Sequence, residues 1–79
     1  MTHELKIMPP YYDWVFSGLK TFEIRKDDRG YKVGDELLLK EWLPEEKKFT
    51  GREHLVKVTC IVKGFGLKDG YVVLGVKTA

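Results

Sequence analysis

Residues 18–25 read Gly-Leu-Lys-Thr-Phe-Glu-Ile-Arg, and this stretch decides the fold because it contains the change from a helix to a strand. Upstream, apolar side chains recur at helical spacing until Gly18, a residue type that commonly follows the last helical turn. Downstream, apolar and polar side chains alternate, which predicts a strand with two unlike faces. The apolar face, expected in the core, carries Phe22 and Ile24. The polar face carries Thr21, Glu23 and Arg25.

The segment before this strand predicts one short helix. Pro9 and Pro10 end a preceding strand, and a proline is tolerated in the first turn of a helix. The helical spacing then runs through Tyr11, Trp14, Val15 and Leu19. A helix of two turns is not stable by itself, so it must be held by packing. We therefore expect at least Tyr11 or Trp14 to be a core residue.

The rest of the chain predicts strands. Their expected ranges are 4–7, 36–42, 55–62 and 71–76, with a solvated, charged loop over 43–51 and a glycine-rich loop over 64–70. With residues 21–25 this gives five to six short strands and one helix near the N-terminus. The sequence thus predicts a single domain over residues 1–79. Its class is α+β, mostly β, and its architecture is a small, partly closed barrel.

Composition excludes several classes of protein. An apolar fraction of 43% argues against intrinsic disorder, and no apolar run approaches the ~20 residues that cross a bilayer. The N-terminal residues lack the apolar core of a signal peptide. Cys60, the single cysteine, is expected to be an inert packing residue in a reducing compartment, so we expect a cytoplasmic protein without a membrane partner.

Neither a metal nor a cofactor is indicated by the residue pattern. His3, His54 and Cys60 do not have the spacing of metal ligands, and no Gly-x-Gly-x-x-Gly or Walker-type phosphate loop is present. The formal net charge of +2 permits nucleic-acid binding without requiring it. Any binding is therefore expected at a local site.

The polar residues around the helix–strand junction are the candidate site. Lys20 and Arg25 can contact phosphate or carbonyl oxygens, and Glu23 can hold Arg25 extended or accept from a base amine. A helix packed beside this face would make it the wall of a cleft. The alternative is a solvated strand face whose ion pair contributes under about 1 kcal/mol.

The motif resembles a known family signature. Gly18, Lys20, Glu23 and Arg25 match the Gly-x-Lys-x-x-Glu-x-Arg pattern of ASCH domains, which belong to the PUA-like superfamily. The chain also resembles the small ASCH-like family DUF3850 at five segments in order: His3-Glu4-Leu5-Lys6, Lys20-Thr21-Phe22-Glu23-Ile24-Arg25, Val33-Gly34-Asp35, Thr50-Gly51-Arg52 and Gly64-Phe65-Gly66-Leu67. The resemblance implies a PUA-like pseudo-barrel with the motif in a cleft between helix and barrel, and an RNA- or nucleotide-binding module.

Two further residues join the candidate site. Arg52 follows the turn Thr50-Gly51, and the resemblance favours a role as a cation at the cleft rim over that of a plain surface arginine. Phe65 stands between two glycines, where an aromatic side chain could stack on a base or fold back to plug the barrel mouth. The predicted ligand-binding set is therefore Lys20, Thr21, Glu23, Arg25, Arg52 and Phe65.

Two alternative functions remain. One enzymatic branch of the ASCH group hydrolyses the acyl amide of N4-acetylcytidine with a lysine, a threonine and a glutamate. Its lysine falls on Lys20, but its threonine position holds Glu23, and the counterpart of its glutamate is not recognisable here. Catalysis on an N4-acylated cytidine would thus need Lys20, Thr21 and Glu23 in a rearranged site. The second alternative is a protein-interaction adaptor within a larger complex.

Overall fold

The computed structural model describes all residues from 1 to 79, and it contains five strands and one helix. The elements are, in chain order, β1 (Thr2–Ile7), α1 (Tyr11–Phe16), β2 (Phe22–Lys26), β3 (Glu36–Leu43), β4 (Lys48–Val62) and β5 (Tyr71–Thr78). The strands form one half-barrel sheet in the order β1-β3-β4-β5-β2. β1 lies parallel to β3, and the other neighbours are antiparallel. A mostly β fold with very little helix is confirmed.

The helix ends where its sequence predicts. Gly18 has a φ of +81°, a conformation that favours glycine, and its N–H donates to the carbonyl of Val15 at 3.1 Å. The buried helical side chains are Tyr12 and Val15. Tyr11 and Trp14 are each 41% exposed, so the prediction that one of them is a core residue is wrong. Val15 of the predicted helical set is buried, and Tyr12, rather than Tyr11, is buried with it.

The core lies on the inner face of the half-barrel. Residues paired across strands share a face, so the register sets its composition: His3 pairs with Leu37, and Leu37 in turn pairs with Val56. The cluster of buried apolar residues comprises Leu5, Ile7, Tyr12, Val15, Tyr31, Leu37, Leu39, Val56, Val58, Val72, Leu74 and Val76.

β2 has the opposite orientation from the one predicted. Glu23 pairs with Leu74, a fully buried core residue, so Glu23 lies on the inner face and is 4% exposed. Phe22 and Ile24 lie on the outer face, 40% and 52% exposed. The apolar side of this strand therefore does not face the core. A carboxylate can be buried in its place because cationic side chains pair with it, as described below.

The predicted loop over residues 43–51 is mostly strand. The turn covers only residues 44–47, and β4 begins at Lys48. Phe49 pairs with Trp42 across the hairpin, with ring centroids 4.8 Å apart in an edge-to-face arrangement. This aromatic pair holds the end of the hairpin despite the charges around it.

Cys60 is exposed, so the prediction of a packing residue is wrong. The pairing of β4 with β5 shifts between Val58 and Cys60, and this irregularity turns Cys60 outward. Its Sγ lies over Gly75, where an added Cβ would be 2.5 Å away.

None of the helical structure has the length and apolar character that crossing a membrane requires.

Candidate functional site

The two edge strands of the half-barrel, β1 and β2, are joined by arginine side chains rather than by backbone hydrogen bonds. Arg25 Nη2 donates to the carbonyl of Lys6 at 2.6 Å, and Arg29 Nη1 donates to the carbonyl of Glu4 at 2.9 Å. At an open sheet edge, unpaired backbone N–H and C=O groups can pair with strands of other chains. We call this junction, where Arg25 and Arg29 contact Glu4 and Lys6, the seam.

The motif residues Lys20, Glu23 and Arg25 form one ionic cluster at the seam. Arg25 donates from Nε and Nη2 to Glu23 Oε2, at 3.1 and 3.0 Å, and Lys20 Nζ donates to Glu23 Oε1. Lys20 also donates to the carbonyl of Phe22 at 2.8 Å. The side chains of Lys20, Glu23 and Arg25 are 16%, 5% and 24% exposed. The sequence prediction that these three residues lie together agrees with this geometry.

The cluster keeps hydrogen-bonding capacity that the protein does not use. Arg25 has five N–H donors, and the two on Nη1 make no hydrogen bond within the chain. Lys20 has three donors, of which two are used. Glu23 Oε1 accepts only from Lys20 and retains acceptor capacity. Two cations and one carboxylate give the cluster a net charge of +1.

The cluster opens into a cavity of about 380 Å³ between the start of α1 and the seam. This volume falls in the range of about 300–1,000 Å³ that is typical of small-molecule sites. The remaining wall is mostly apolar. It consists of Lys6, Ile7, Met8, Tyr11 and Ile24. We call this space the inner cavity.

An aromatic recess adjoins the inner cavity. It measures about 360 Å³ and shares Tyr11 and Lys20 with the inner cavity. Its other lining side chains, Trp14, Leu19 and Phe22, are 41%, 76% and 40% exposed. A polar cluster beside exposed aromatic rings is suited to a ligand that combines a flat ring with polar edges.

A comparison with known families supports the resemblance to DUF3850. The family described as Domain of unknown function (DUF3850) matches residues 2–76. The chain belongs to the DUF3850 family. It is also 39% identical over 72 residues to a relative in Escherichia phage P2, described as "Uncharacterized 12.9 kDa protein in GpA 3'region". The match covers 91% of this chain and 64% of the relative, so the chain spans less than two thirds of that protein's length.

Thr21 of the DUF3850 domain lies away from the inner cavity. It lines another cavity of about 200 Å³, together with Gly18, Lys20 and Val76 among others; Glu23 does not line this cavity. Its hydroxyl makes no hydrogen bond to Glu23 or to any other base. The structure therefore does not bring together Lys20, Thr21 and Glu23 as nucleophile and base.

Arg52 also lies outside the inner cavity. It pairs with Asp13 of α1 and with Glu41 of β3 at 3.4 Å, and its guanidinium is 4.4 Å from the ring centroid of Tyr12. The contact with Asp13 raises the pKa of Arg52, and burial raises the pKa of Tyr12. Thr50 completes the group by donating to Glu41 at 2.9 Å. Arg52 thus fastens the helix to the β3–β4 hairpin.

Phe65 is fully solvated. Its side chain is 97% exposed, so it does not fold back to plug the barrel mouth. Its φ of +54° is unusual for a residue with a side chain, and the glycines on both sides have positive φ as well. Phe65 lines neither the inner cavity nor the aromatic recess.

A second buried polar contact, which no sequence pattern predicted, lies at the other end of β1. His3 Nε2 and Asp35 Oδ2 are 2.8 Å apart, and the N-terminal amine is 3.3 Å from Asp35 Oδ1. The hydrogen bond with His3 is the main reason that the pKa of Asp35 is lowered to about 2. No group of three or more His, Cys, Asp or Glu side chains is placed to hold a metal ion.

Sequence reasoning missed the residues that β1 contributes to the site. Lys6 and Ile7 line the inner cavity, but β1 ends thirteen residues before Lys20 in sequence and lies at the far edge of the sheet. The available signal was the alternation of Glu4, Leu5, Lys6 and Ile7, which marks a strand with one polar face.

Proposed function

We propose that this DUF3850 domain binds RNA or a nucleotide in the inner cavity. The observation that carries the proposal is the ionic cluster: Lys20 and Arg25 hold unused donors beside Glu23, which retains acceptor capacity. The cluster borders a cavity of about 380 Å³, a volume that a small ligand can occupy.

The donors and acceptors suit a nucleobase edge with a neighbouring phosphate. Arg25 Nη1 offers two donors to a carbonyl or phosphate oxygen, and Lys20 offers one. Glu23 accepts from an exocyclic amine of the kind that cytosine and other bases present. The rings of Tyr11 and Trp14 are exposed beside the cluster and can stack on the base.

The family resemblance supports the same assignment. The Gly-x-Lys-x-x-Glu-x-Arg pattern is that of ASCH domains, and a half-barrel with one short helix fits a PUA-like domain. We accordingly propose the PUA-like superfamily for the fold. We also propose the cytoplasm as location, on the ground that the one cysteine, Cys60, has no disulfide partner in the chain.

The geometry favours binding over the two alternatives. An amidohydrolase would need the Thr21 hydroxyl within about 3 Å of a base, whereas Thr21 lines a different cavity from Glu23. A protein-interaction adaptor does not require an enclosed cluster with unused donors.

Calorimetric titration with the four ribonucleoside 5′-monophosphates tests the proposal. We expect binding by the wild type and at least a tenfold loss in Arg25→Lys, which keeps the charge and loses the unused Nη1 donors. Lys57→Ala is the control, because Lys57 is exposed and lines none of the cavities described above. Binding that is absent in the wild type, or equal in both variants, would overturn the proposal.

Glu23→Gln tests the role of the acceptor. We expect a loss of about tenfold, or about 1.4 kcal/mol, for nucleotides with an exocyclic amine, and little change for uridine 5′-monophosphate. Equal losses for all four nucleotides would contradict the role of Glu23. Incubation with N4-acetylcytidine and chromatography of the products tests the enzymatic alternative, since turnover that is lost in Lys20→Ala would establish it.

A further inference from the structure

A second cavity lies at the seam, next to the inner cavity. It measures about 320 Å³ and is lined by Glu4, Leu5, Lys6, Arg25, Arg29, Lys40 and Phe49. Lys6 and Arg25 line both cavities, so the hydrogen bond between Arg25 and the carbonyl of Lys6 forms the partition between them. We call this second space the outer cavity.

The outer cavity is strongly cationic. Four of its lining side chains are positive, and Glu4 is the one acidic residue among them. Glu4 pairs with Lys40 at 3.2 Å and Arg25 pairs with Glu23 of the inner cavity, which leaves Lys6 and Arg29 without a carboxylate partner. Lys6 Nζ makes neither a hydrogen bond nor a salt bridge, and it lies 3.9 Å above the ring centroid of Trp42. In a chain with a net charge of only +2, this is a local concentration of positive charge.

An aromatic pair adjoins these cations. Trp42 and Phe49 pack edge to face, and Lys40 Nζ is 4.9 Å from the ring centroid of Phe49. The side chain of Phe49 is 43% exposed. Exposed aromatic rings with surrounding cations are the features by which proteins bind single-stranded nucleic acids.

We propose that the seam binds single-stranded RNA of at least two nucleotides in preference to a mononucleotide. One nucleotide occupies the inner cavity. The phosphate of its neighbour crosses the partition at Arg25 and contacts Lys6, Arg29 and Lys40 in the outer cavity, beside Phe49. This inference rests on the proposed function and adds the size of the ligand and the path of its backbone.

Titrations with cytidine 5′-monophosphate and with hexacytidylate, each at several salt concentrations, test the inference. We expect the hexamer to bind at least tenfold more tightly. If about three phosphates are contacted, the logarithm of its affinity falls with the logarithm of the salt concentration with a slope near −2, at about 0.7 per phosphate. Equal affinity for the two ligands would overturn the inference and leave the proposed function intact. If neither ligand binds, both the inference and the proposed function are overturned.

Lys40→Met is the decisive variant, because Lys40 lines only the outer cavity. Its partners Glu4 and Glu53 are 65% and 46% exposed, so the fold should tolerate the change. We expect a three- to tenfold loss for the hexamer, a salt slope reduced by about 0.7, and unchanged binding of the mononucleotide. A loss no greater than that of the control Lys57→Met would overturn the inference. So would equally tight binding of hexaglutamate, which would indicate an acidic protein partner.

Discussion

Replacing Glu23 by glutamine is expected to destabilise the fold far more than the chemistry of a single surface carboxylate would suggest. The side chain of Glu23 is 5% exposed and is the carboxylate partner of both Lys20 and Arg25. The substitution keeps the shape and removes the charge. Two cations then remain close together at the seam without a carboxylate between them.

The magnitude follows from the burial of the three groups. Removing one partner of a fully buried ion pair costs about 3–5 kcal/mol. Lys20 and Arg25 are 16% and 24% exposed, so water recovers part of their solvation, and the amide of glutamine still accepts one hydrogen bond. We therefore expect a loss of about 2 kcal/mol in the free energy of unfolding, which is a shift of about 8–16 °C in Tm for a domain of this size.

Urea unfolding followed by the fluorescence of Trp14 and Trp42 measures this loss. Glu53→Gln is the matched control, since it makes the same chemical change in an exposed pair with Lys40 at 3.9 Å and should cost less than about 1 kcal/mol. A second variant, Glu23→Gln combined with Lys20→Met, should be more stable than Glu23→Gln alone because it removes one of the uncompensated cations. Equal losses in the free energy of unfolding for Glu23→Gln and Glu53→Gln would contradict a stabilising role of the buried Glu23 carboxylate.

Three further predictions concern parts of the fold outside the cluster. The pKa of Asp35 is lowered to about 2 from an ordinary value of 3.8, so the stability that this carboxylate contributes is complete above pH 3.8 and is lost as the pH falls toward 2. Urea unfolding between pH 2 and 6 should show this loss of stability, and the loss should be smaller in Asp35→Asn. Gly75→Ala should cost about 1–3 kcal/mol because the added Cβ would be 2.5 Å from Cys60 Sγ and 2.9 Å from Thr59 Oγ1. Cys60→Ala should restore part of that loss in thermal melts, because it removes the closer of the two contacts. Phe65→Ser should change the free energy of unfolding by less than about 0.5 kcal/mol, since the ring is 97% exposed, and a larger loss would contradict its solvated position.

The strands of the fold could be predicted from local alternation, but the orientation of β2 could not. The alternation of Phe22, Glu23, Ile24 and Arg25 identifies a strand with an apolar and a polar face. Placing the apolar face in the core is the ordinary inference, and here it fails. Glu23 can be buried only because Lys20 and Arg25 reach its carboxylate, and such compensation is a tertiary property.

The sequence predicts the motif residues of the candidate site but not the residues that surround them. Lys20, Glu23 and Arg25 are close in sequence, so their local spacing was enough to group them. The inner cavity also needs β1, whose position opposite β2 depends on the curvature of the whole sheet and on the parallel pairing of β1 with β3. Arg52 was predicted at the cleft and instead pairs with Asp13 and Glu41, because nothing local specifies which carboxylate a long side chain will reach.

In the hairpin of β3 and β4, a run of charged residues led to the prediction of a loop where the structure has a strand. Residues 44–48 read Pro-Glu-Glu-Lys-Lys, which is typical of a solvated loop, and the prediction extended that loop to residue 51. Phe49 nevertheless pairs with Trp42, and the strand resumes at once. A cross-strand aromatic pair depends on register, which composition does not reveal.

Nucleotide binding in the inner cavity is tested most directly by NMR. The experiment follows the Arg25 Nε–Hε signal and the backbone amides during a titration with cytidine 5′-monophosphate. We expect saturable shifts of the Arg25 side chain and of the amides of residues 6–8 and 23–25, with little change in the turn at residues 44–47. An unmoved Arg25 signal at millimolar nucleotide, or shifts confined to the turn, would contradict it.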